Sequence, residues 1–282
     1  MKIIECPRDA IQGIKEFIPT AAKARYLNEL LKVGFDTIDF GSFVSAKAIP
    51  QLEDTAAVLN LLDMANSKSK LLAIVANERG AVEACQFEQI ACLGYPFSIS
   101  ETFQLRNTGA TIAQSLDRVK LIQELCVKYG KQLVIYISMG FGNPYGDVWN
   151  SDIAIQWVDT LSKLDIKVFS LADTVGVANP QTISYLFGNL IPALPDLEFG
   201  AHLHTTATTV NEKLEAAWLA GCRRFDSAIL GYGGCPMAMD DLVGNMPTEQ
   251  LIDFMINKDQ TLGFDQHVIT KLEQSFKQLI AN

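Results

Sequence analysis

Short apolar, β-rich runs recur along the chain at intervals of roughly 25 to 35 residues, the spacing of strands separated by helical crossovers. They occupy residues 3–5, 37–42, 71–75, 89–93, 132–138, 168–172, 198–204 and 224–230. Their short length and high apolar content suit strands of a parallel sheet covered on both faces. Between them the period changes. In 22–33, Ala22, Leu27, Leu30, Leu31 and Val33 fall at helical spacing before Gly34. Helical segments also run over 116–129, ending at Gly130, and over 152–163, where Ser151 is a candidate N-cap. Asn179 followed by Pro180 places a capping residue before a proline at a first helical position. Gly34, Gly130 and Gly221 stand just past periodic runs, where left-handed caps are expected.

Eight strands alternating with helices predict an α/β fold, and within 282 residues they favour a (β/α)8 TIM barrel, which needs about 250. An open doubly wound sheet is the alternative. No linker interrupts the pattern, so residues 1–282 read as one TIM-barrel domain. Residues 248–258 and 268–281 read as closing helices, the second an extra C-terminal helix.

Composition narrows the functions. The chain is 49% hydrophobic and 20% charged, with a formal net charge of −9, so it is a poor general binder of nucleic acid or anionic membrane. It has no apolar stretch of the ~18 residues that a membrane span needs and no signal-peptide pattern at its start. Six cysteines (Cys6, Cys85, Cys92, Cys126, Cys222, Cys235) without close pair spacing read as reduced thiols, consistent with a cytoplasmic location. Phosphate-loop, dinucleotide, zincin and nucleophile-elbow motifs are missing.

In a barrel of this kind, chemistry sits at the C-terminal ends of the strands, where the unusual polar residues fall. His202 and His204 close the seventh run at i, i+2, a spacing that puts both side chains on one face of a strand. They suit a metal, or two hydrogen-bonded core histidines. Arg8 and Asp9 follow the first run directly and form either part of a site or a loop ion pair. A carboxylate beside two imidazoles suits Mg²⁺ or Mn²⁺. Asp39 and Asp173 are carboxylates in otherwise apolar runs, and buried carboxylates must be paired or protonated. After the eighth run, Gly231-Tyr232-Gly233-Gly234-Cys235-Pro236 is a plain Gly-rich connection or a mobile loop carrying a thiol for acid–base work.

Taken together, these residues resemble 3-hydroxy-3-methylglutaryl-CoA lyases, within the metal-dependent TIM-barrel lyases. The likeness runs nearly end to end: Pro7-Arg8-Asp9, Ser42-Phe43-Val44-Ser45-Ala46-Lys47 with Pro50-Gln51, Ser100-Glu101-Thr102-Phe103, Asp173-Thr174-Val175-Gly176, His202-Leu203-His204, and Gly233-Gly234-Cys235-Pro236 through Gly244-Asn245. The resemblance implies a divalent metal held by Asp9, His202, His204 and Asn245. It implies catalytic roles for Arg8 (enolate stabilisation), Asp173 (base or its positioning partner, with His202 as second choice), Cys235 (proton transfer), Asp39 and Glu249. It also implies an acyl-CoA substrate, cleaved to acetyl-CoA and acetoacetate, and a homodimer. Lys47 and Arg106 are candidate cations for the coenzyme A phosphates, or ordinary surface charges.

The chain departs from the family pattern in four places. Ala10 replaces a glycine, Asp39 replaces a glutamate, Thr205-Thr206-Ala207-Thr208-Thr209 replaces the usual residues after the second histidine, and the signature loop is one residue longer. These departures keep two alternatives in view: a related metal-dependent aldolase or condensing enzyme, and a catalytically weakened barrel acting as a binding protein.

Overall fold

The computed structural model describes residues 1–234, 243–263 and 266–281. Eight parallel strands close into a barrel: β1 (Lys2–Glu5), β2 (Thr37–Ser42), β3 (Lys70–Ile74), β4 (Ile90–Ser98), β5 (Gln132–Ser138), β6 (Val168–Ala172), β7 (Glu198–His202) and β8 (Arg224–Ser227). The ring closes where β8 pairs with β1, from Lys2 opposite Arg224 to Glu5 opposite Ser227. An open sheet is therefore excluded.

Two sets of apolar side chains form because successive strand residues face opposite ways. Leu72, Ile74, Cys92, Val134, Tyr136 and Val168 fill the barrel interior, and a larger set packs between strands and helices. The five described cysteines, Cys6, Cys85, Cys92, Cys126 and Cys222, are buried free thiols. Among the described residues no helix is long and apolar enough to cross a membrane.

Helix boundaries follow local chemistry. Thr111 caps the helix Ile112–Tyr129 through a reciprocal bond with Gln114, and Gly130, at φ 64°, ends it left-handed. Asn179 caps Pro180–Ala193 in the same way through Thr182. Gly34 and Gly221 also take positive φ. The helix after β5 starts one residue earlier than expected: Asn150, not Ser151, accepts from Ile153. The helix Gln266–Ile280 lies beyond the barrel's closing helix Thr248–Asn257 and packs on the first long helix, Thr20–Leu30, through Phe276 and Tyr26, whose ring centroids are 5.5 Å apart.

Three strands differ from the sequence expectation. β4 runs on through Gly94 and Pro96 to Ser98, although both residues are poor strand formers. β8 stops at Ser227, and a tight turn follows over Ile229–Gly231 with Leu230 at φ 61°. β7 stops at His202. Beyond Leu203, His204–Thr205 forms a separate antiparallel ribbon with Gly244–Asn245.

Candidate active site

The site begins where β1 ends. Pro7 opens a single helical turn, Pro7–Ile11, that buries both Arg8 and Asp9. Arg8 Nε donates to Asp39 Oδ2 at 3.0 Å, and Nη1 donates to Asp9 Oδ1 at 3.0 Å and to Gln12 Oε1 at 2.9 Å. Gln12 in turn donates to Asp9 Oδ1. This set consumes one oxygen of Asp9. The other, Oδ2, is buried and has no hydrogen-bond partner among the described residues, and lies 3.8 Å from His202 Nε2.

On the opposite side of the mouth, β7 delivers His202 and the ribbon delivers His204. The convergence differs from the expected one, because the two histidines do not share one continuous strand. His204 is carried by the ribbon, opposite Asn245. Their ring centroids nevertheless sit 5.5 Å apart, and ligand atoms of Asp9, His202 and His204 lie within 4.8 Å of one another. Asn245 is buried, its amide donates to Tyr232 O at 2.9 Å, and its side chain lies against Asp9. Gly233, at φ 88°, brings the chain so close that a Cβ there would stand 2.6 Å from Asp9 O and 2.7 Å from Ala10 Cα.

Charge in this corner is set by neighbours. Burial opposes ionisation of Asp9, but Arg8, His202 and His204 outweigh it and hold the carboxyl below its ordinary value. Burial pushes Asp39 up to about 6 against the pull of Arg8, so it is still ionised at neutral pH. Burial works against the charge on Arg8, but Asp39 and Asp9 outweigh it and push the guanidinium pKa above its ordinary value. Burial, then the charge of His202, pushes His204 down to about 4, leaving a neutral ring able to ligate.

A buried carboxylate oxygen facing two imidazoles with no donor of its own is costly unless something positive completes it. The oxygen–nitrogen donor set suits a hard or borderline divalent cation. The residues present therefore fit the metal expected from the sequence.

Arg8, Asp9, His202 and His204 open onto a cavity of about 510 Å³, whose walls include Ser42, Val44, Ile49, Phe103, Asn107 and Ser138. Several residues singled out from the sequence do not line it. Asp39 is fully buried behind Arg8. Asp173 is turned away: its Oδ2 meets Lys213 Nζ at 2.7 Å and its Oδ1 accepts from Ala178 N at 2.9 Å. Glu249 accepts from Leu230 N at 3.1 Å and steadies the turn after β8. Lys47 and Arg106 are exposed, Arg106 with its guanidinium 4.7 Å from the Tyr145 ring centroid. Cys235 lies outside the described residues.

Four residues were not anticipated. Gln12 braces Arg8 and Asp9, Asp226 lies within hydrogen-bond distance of His202 Nδ1, Lys213 neutralises Asp173, and Lys15 lines the cavity. Only Asp226 left a trace in the sequence, as a carboxylate inside the eighth run.

A family model described as HMGL-like matches residues 2–276. A 3-hydroxy-3-isohexenylglutaryl-CoA/hydroxymethylglutaryl-CoA lyase of Pseudomonas aeruginosa is 30% identical over 270 residues, covering 95% of this chain and 88% of that protein. An (R)-citramalyl-CoA lyase of Chloroflexus aurantiacus is 26% identical, covering 92% and 84%. Among solved structures, an HMG-CoA lyase of Acinetobacter baumannii in complex with coenzyme A and 3-methylmalate superposes with a TM-score of 0.92 at 29% identity, covering 100% of this chain and 92% of that one. With a closed eight-stranded barrel and a cation-ready corner at its mouth, the chain belongs to the HMGL-like family and is a carbon–carbon lyase.

Proposed function

We propose that the chain is a divalent-metal-dependent lyase that cleaves 3-hydroxy-3-methylglutaryl-CoA, or a 3-hydroxyacyl-CoA close to it, into acetyl-CoA and a keto acid by retro-Claisen cleavage. The observation that carries this reading is Asp9 Oδ2, buried, without a donor among the described residues, and aimed at His202 beside the cationic Arg8. Asp9, His202, His204 and Asn245 would hold Mg²⁺ or Mn²⁺, which when bound makes a coordinated hydroxyl easier to deprotonate.

The chain's own groups supply the rest. Arg8 is permanently charged and opens onto the cavity, where it stabilises the negative charge that develops on the thioester oxygen as the carbon–carbon bond breaks. Asp39 and Gln12 fix its planar fork. Asp173 is not carried forward as the base, since both of its oxygens are engaged away from the cavity. It serves instead as a positioning partner: Lys213, which it neutralises, also donates to His204 O at 2.8 Å. His202, the second choice from the sequence, has both ring nitrogens engaged, Nε2 at the cation corner and Nδ1 with Asp226, so acid–base duty is assigned to Cys235, as in the family that the chain resembles. Lys47, exposed in a turn after β2, and Arg106, exposed in the last turn of the helix Glu101–Thr108, fit contacts to the coenzyme A phosphates. A homodimer in the cytoplasm completes the reading.

The 3-alkyl group accepted is the finer question. The cavity wall carries Val44, Ile49 and Phe103, and relatives carry names with different acyl groups. Release of acetyl-CoA from 3-hydroxy-3-methylglutaryl-CoA and from citramalyl-CoA, each with Mn²⁺ and with chelator, tests the reading. Chelator-sensitive turnover of the first substrate is expected. Turnover that survives full removal of divalent metal would overturn it.

A further inference from the structure

His202 is the residue on which the corner turns, because its two ring nitrogens face different surroundings. Nε2 points to Asp9, 3.8 Å from Oδ2. Nδ1 points into the barrel, 3.1 Å from Asp226 Oδ2. The strand register explains the second contact. Gly200 pairs with Arg224 and Ala201 with Phe225, so the next step of the ladder sets His202 beside Asp226, both with side chains inside the barrel.

Asp226 is itself anchored. Ser170 of β6 donates to the same Oδ2 at 3.2 Å, which fixes the carboxylate from the strand on the other side of β7. The Tyr136 ring stands at 85° to the imidazole with centroids 5.6 Å apart, restricting rotation of His202 about its last torsion. Below Asp226, Arg224 passes so close to β7 that a Cβ at Gly200 would meet its Cδ at 2.9 Å. Arg224 also bonds Glu198 at 3.1 Å. Arg224 attracts Asp226 by charge with no hydrogen bond between them, so it is Ser170 that holds the acid against the floor side of His202.

Resting on the reading of Asp9, His202 and His204 as a cation site, we propose that Asp226 is the positioning residue of that site: it keeps the His202 proton on Nδ1 and so presents an unprotonated Nε2 to the cation. A carboxylate cannot donate, so the hydrogen between Oδ2 and Nδ1 must be carried by the ring when Asp226 is ionised. In a neutral ring that leaves the lone pair on Nε2, as a ligand requires. The carboxylate also makes the imidazole a stronger electron donor, and loss of such a partner typically weakens metal binding by about 10- to 100-fold. Asp226 touches no part of the cavity, so it acts through His202 rather than on substrate.

The test is Mn²⁺ binding to the full chain without substrate, followed by the electron paramagnetic resonance of free Mn²⁺. Asp226→Asn should raise the dissociation constant by about 10- to 100-fold with its circular dichroism unchanged. His202→Ala should weaken binding at least as much, and adding Asp226→Asn to it should change little further, since Asp226 then has nothing to position. Additive losses, or an Asp226→Asn chain binding within twofold of the wild type, overturn the proposal. A wild type that binds no Mn²⁺ overturns the cation reading and this proposal with it. Should Asp226→Asn not fold, ¹⁵N spectra of the wild type with labelled histidine decide the matter, as the chain has only three histidines. Above the ring's titration, His202 should show a protonated Nδ1 and a bare Nε2. The reverse tautomer overturns the proposal.

Discussion

Two corners of the barrel mouth carry the same raw material, a buried aspartate beside a buried cation, and finish it differently. At the end of β6, Asp173 gives one oxygen to Lys213 and the other to a backbone amide, while Lys213 spends its remaining hydrogens on the carbonyls of His204 and Gly176. Every partner is present. At the end of β1, Asp9 gives one oxygen to Arg8 and Gln12 and leaves the other facing two imidazoles. A saturated corner holds structure in place. An unsaturated corner, with several elements converging on the gap, is prepared for a ligand.

Breaking the unsaturated corner should cost the most in activity. Arg8→Gln is expected to lose on the order of 10³-fold or more in turnover, equivalent to about 4 kcal/mol of barrier, while the fold survives. Steady-state kinetics on 3-hydroxy-3-methylglutaryl-CoA, with circular dichroism as control, would show this; full turnover would remove Arg8 from the chemistry. Breaking the saturated corner should instead register as stability. Lys213→Met leaves Asp173 unpaired and should lower the unfolding free energy by about 3–5 kcal/mol in urea titrations, and adding Asp173→Leu should recover much of it. If Lys213→Met leaves the urea midpoint in place, the corner is not the clip described here.

A third buried carboxylate sharpens the contrast. Glu5 accepts from Ile229 N and Thr248 Oγ but has no cation paired with it among the described residues, and burial pushes it from 4.5 up to about 8 despite those bonds. An acid whose pKa rises on folding carries no penalty below its unfolded value and a growing one above it. Stability should therefore fall as pH climbs from about 4.5 through about 8, by a few kcal/mol at most. Glu5→Gln should flatten that decline in urea titrations at pH 5, 7 and 9. An equal slope in both proteins would mean that Glu5 ionises freely.

The barrel was legible because eight apolar runs separated by capped helices admit few arrangements. Pro7-Arg8-Asp9 and His202-Leu203-His204 were legible because charged or ligating residues directly after apolar runs are hard to explain by packing. What escaped depended on contacts distant in sequence. Lys213 sits in the helix Val210–Leu219 between Glu212 and Leu214, and nothing local distinguishes it from a solvated lysine; its partner is 40 residues away. Asp226 meets His202 through the register of β7 against β8, which fixes neighbours that no local spacing reveals. The i, i+2 argument for the two histidines reached the right convergence by the wrong route, because β7 releases the chain at His202. Gly94 and Pro96 hid the second half of β4, since local propensity gave way to pairing along the whole of β5.

That early release at His202 has a consequence for how the mouth is tuned. His204 and Asn245 face each other across only two paired positions, Thr205 with Gly244 and His204 with Asn245. In an antiparallel pair, sliding one residue turns every side chain to the opposite face. A slip of this short ribbon would swap Asn245 for Gly244 or Met246 beside His204 and strip an oxygen donor from the corner while leaving the barrel untouched. The segment after β8 thus acts as a vernier on the segment after β7, and changes of length between them are read out first as alignment of ligands rather than as loss of fold.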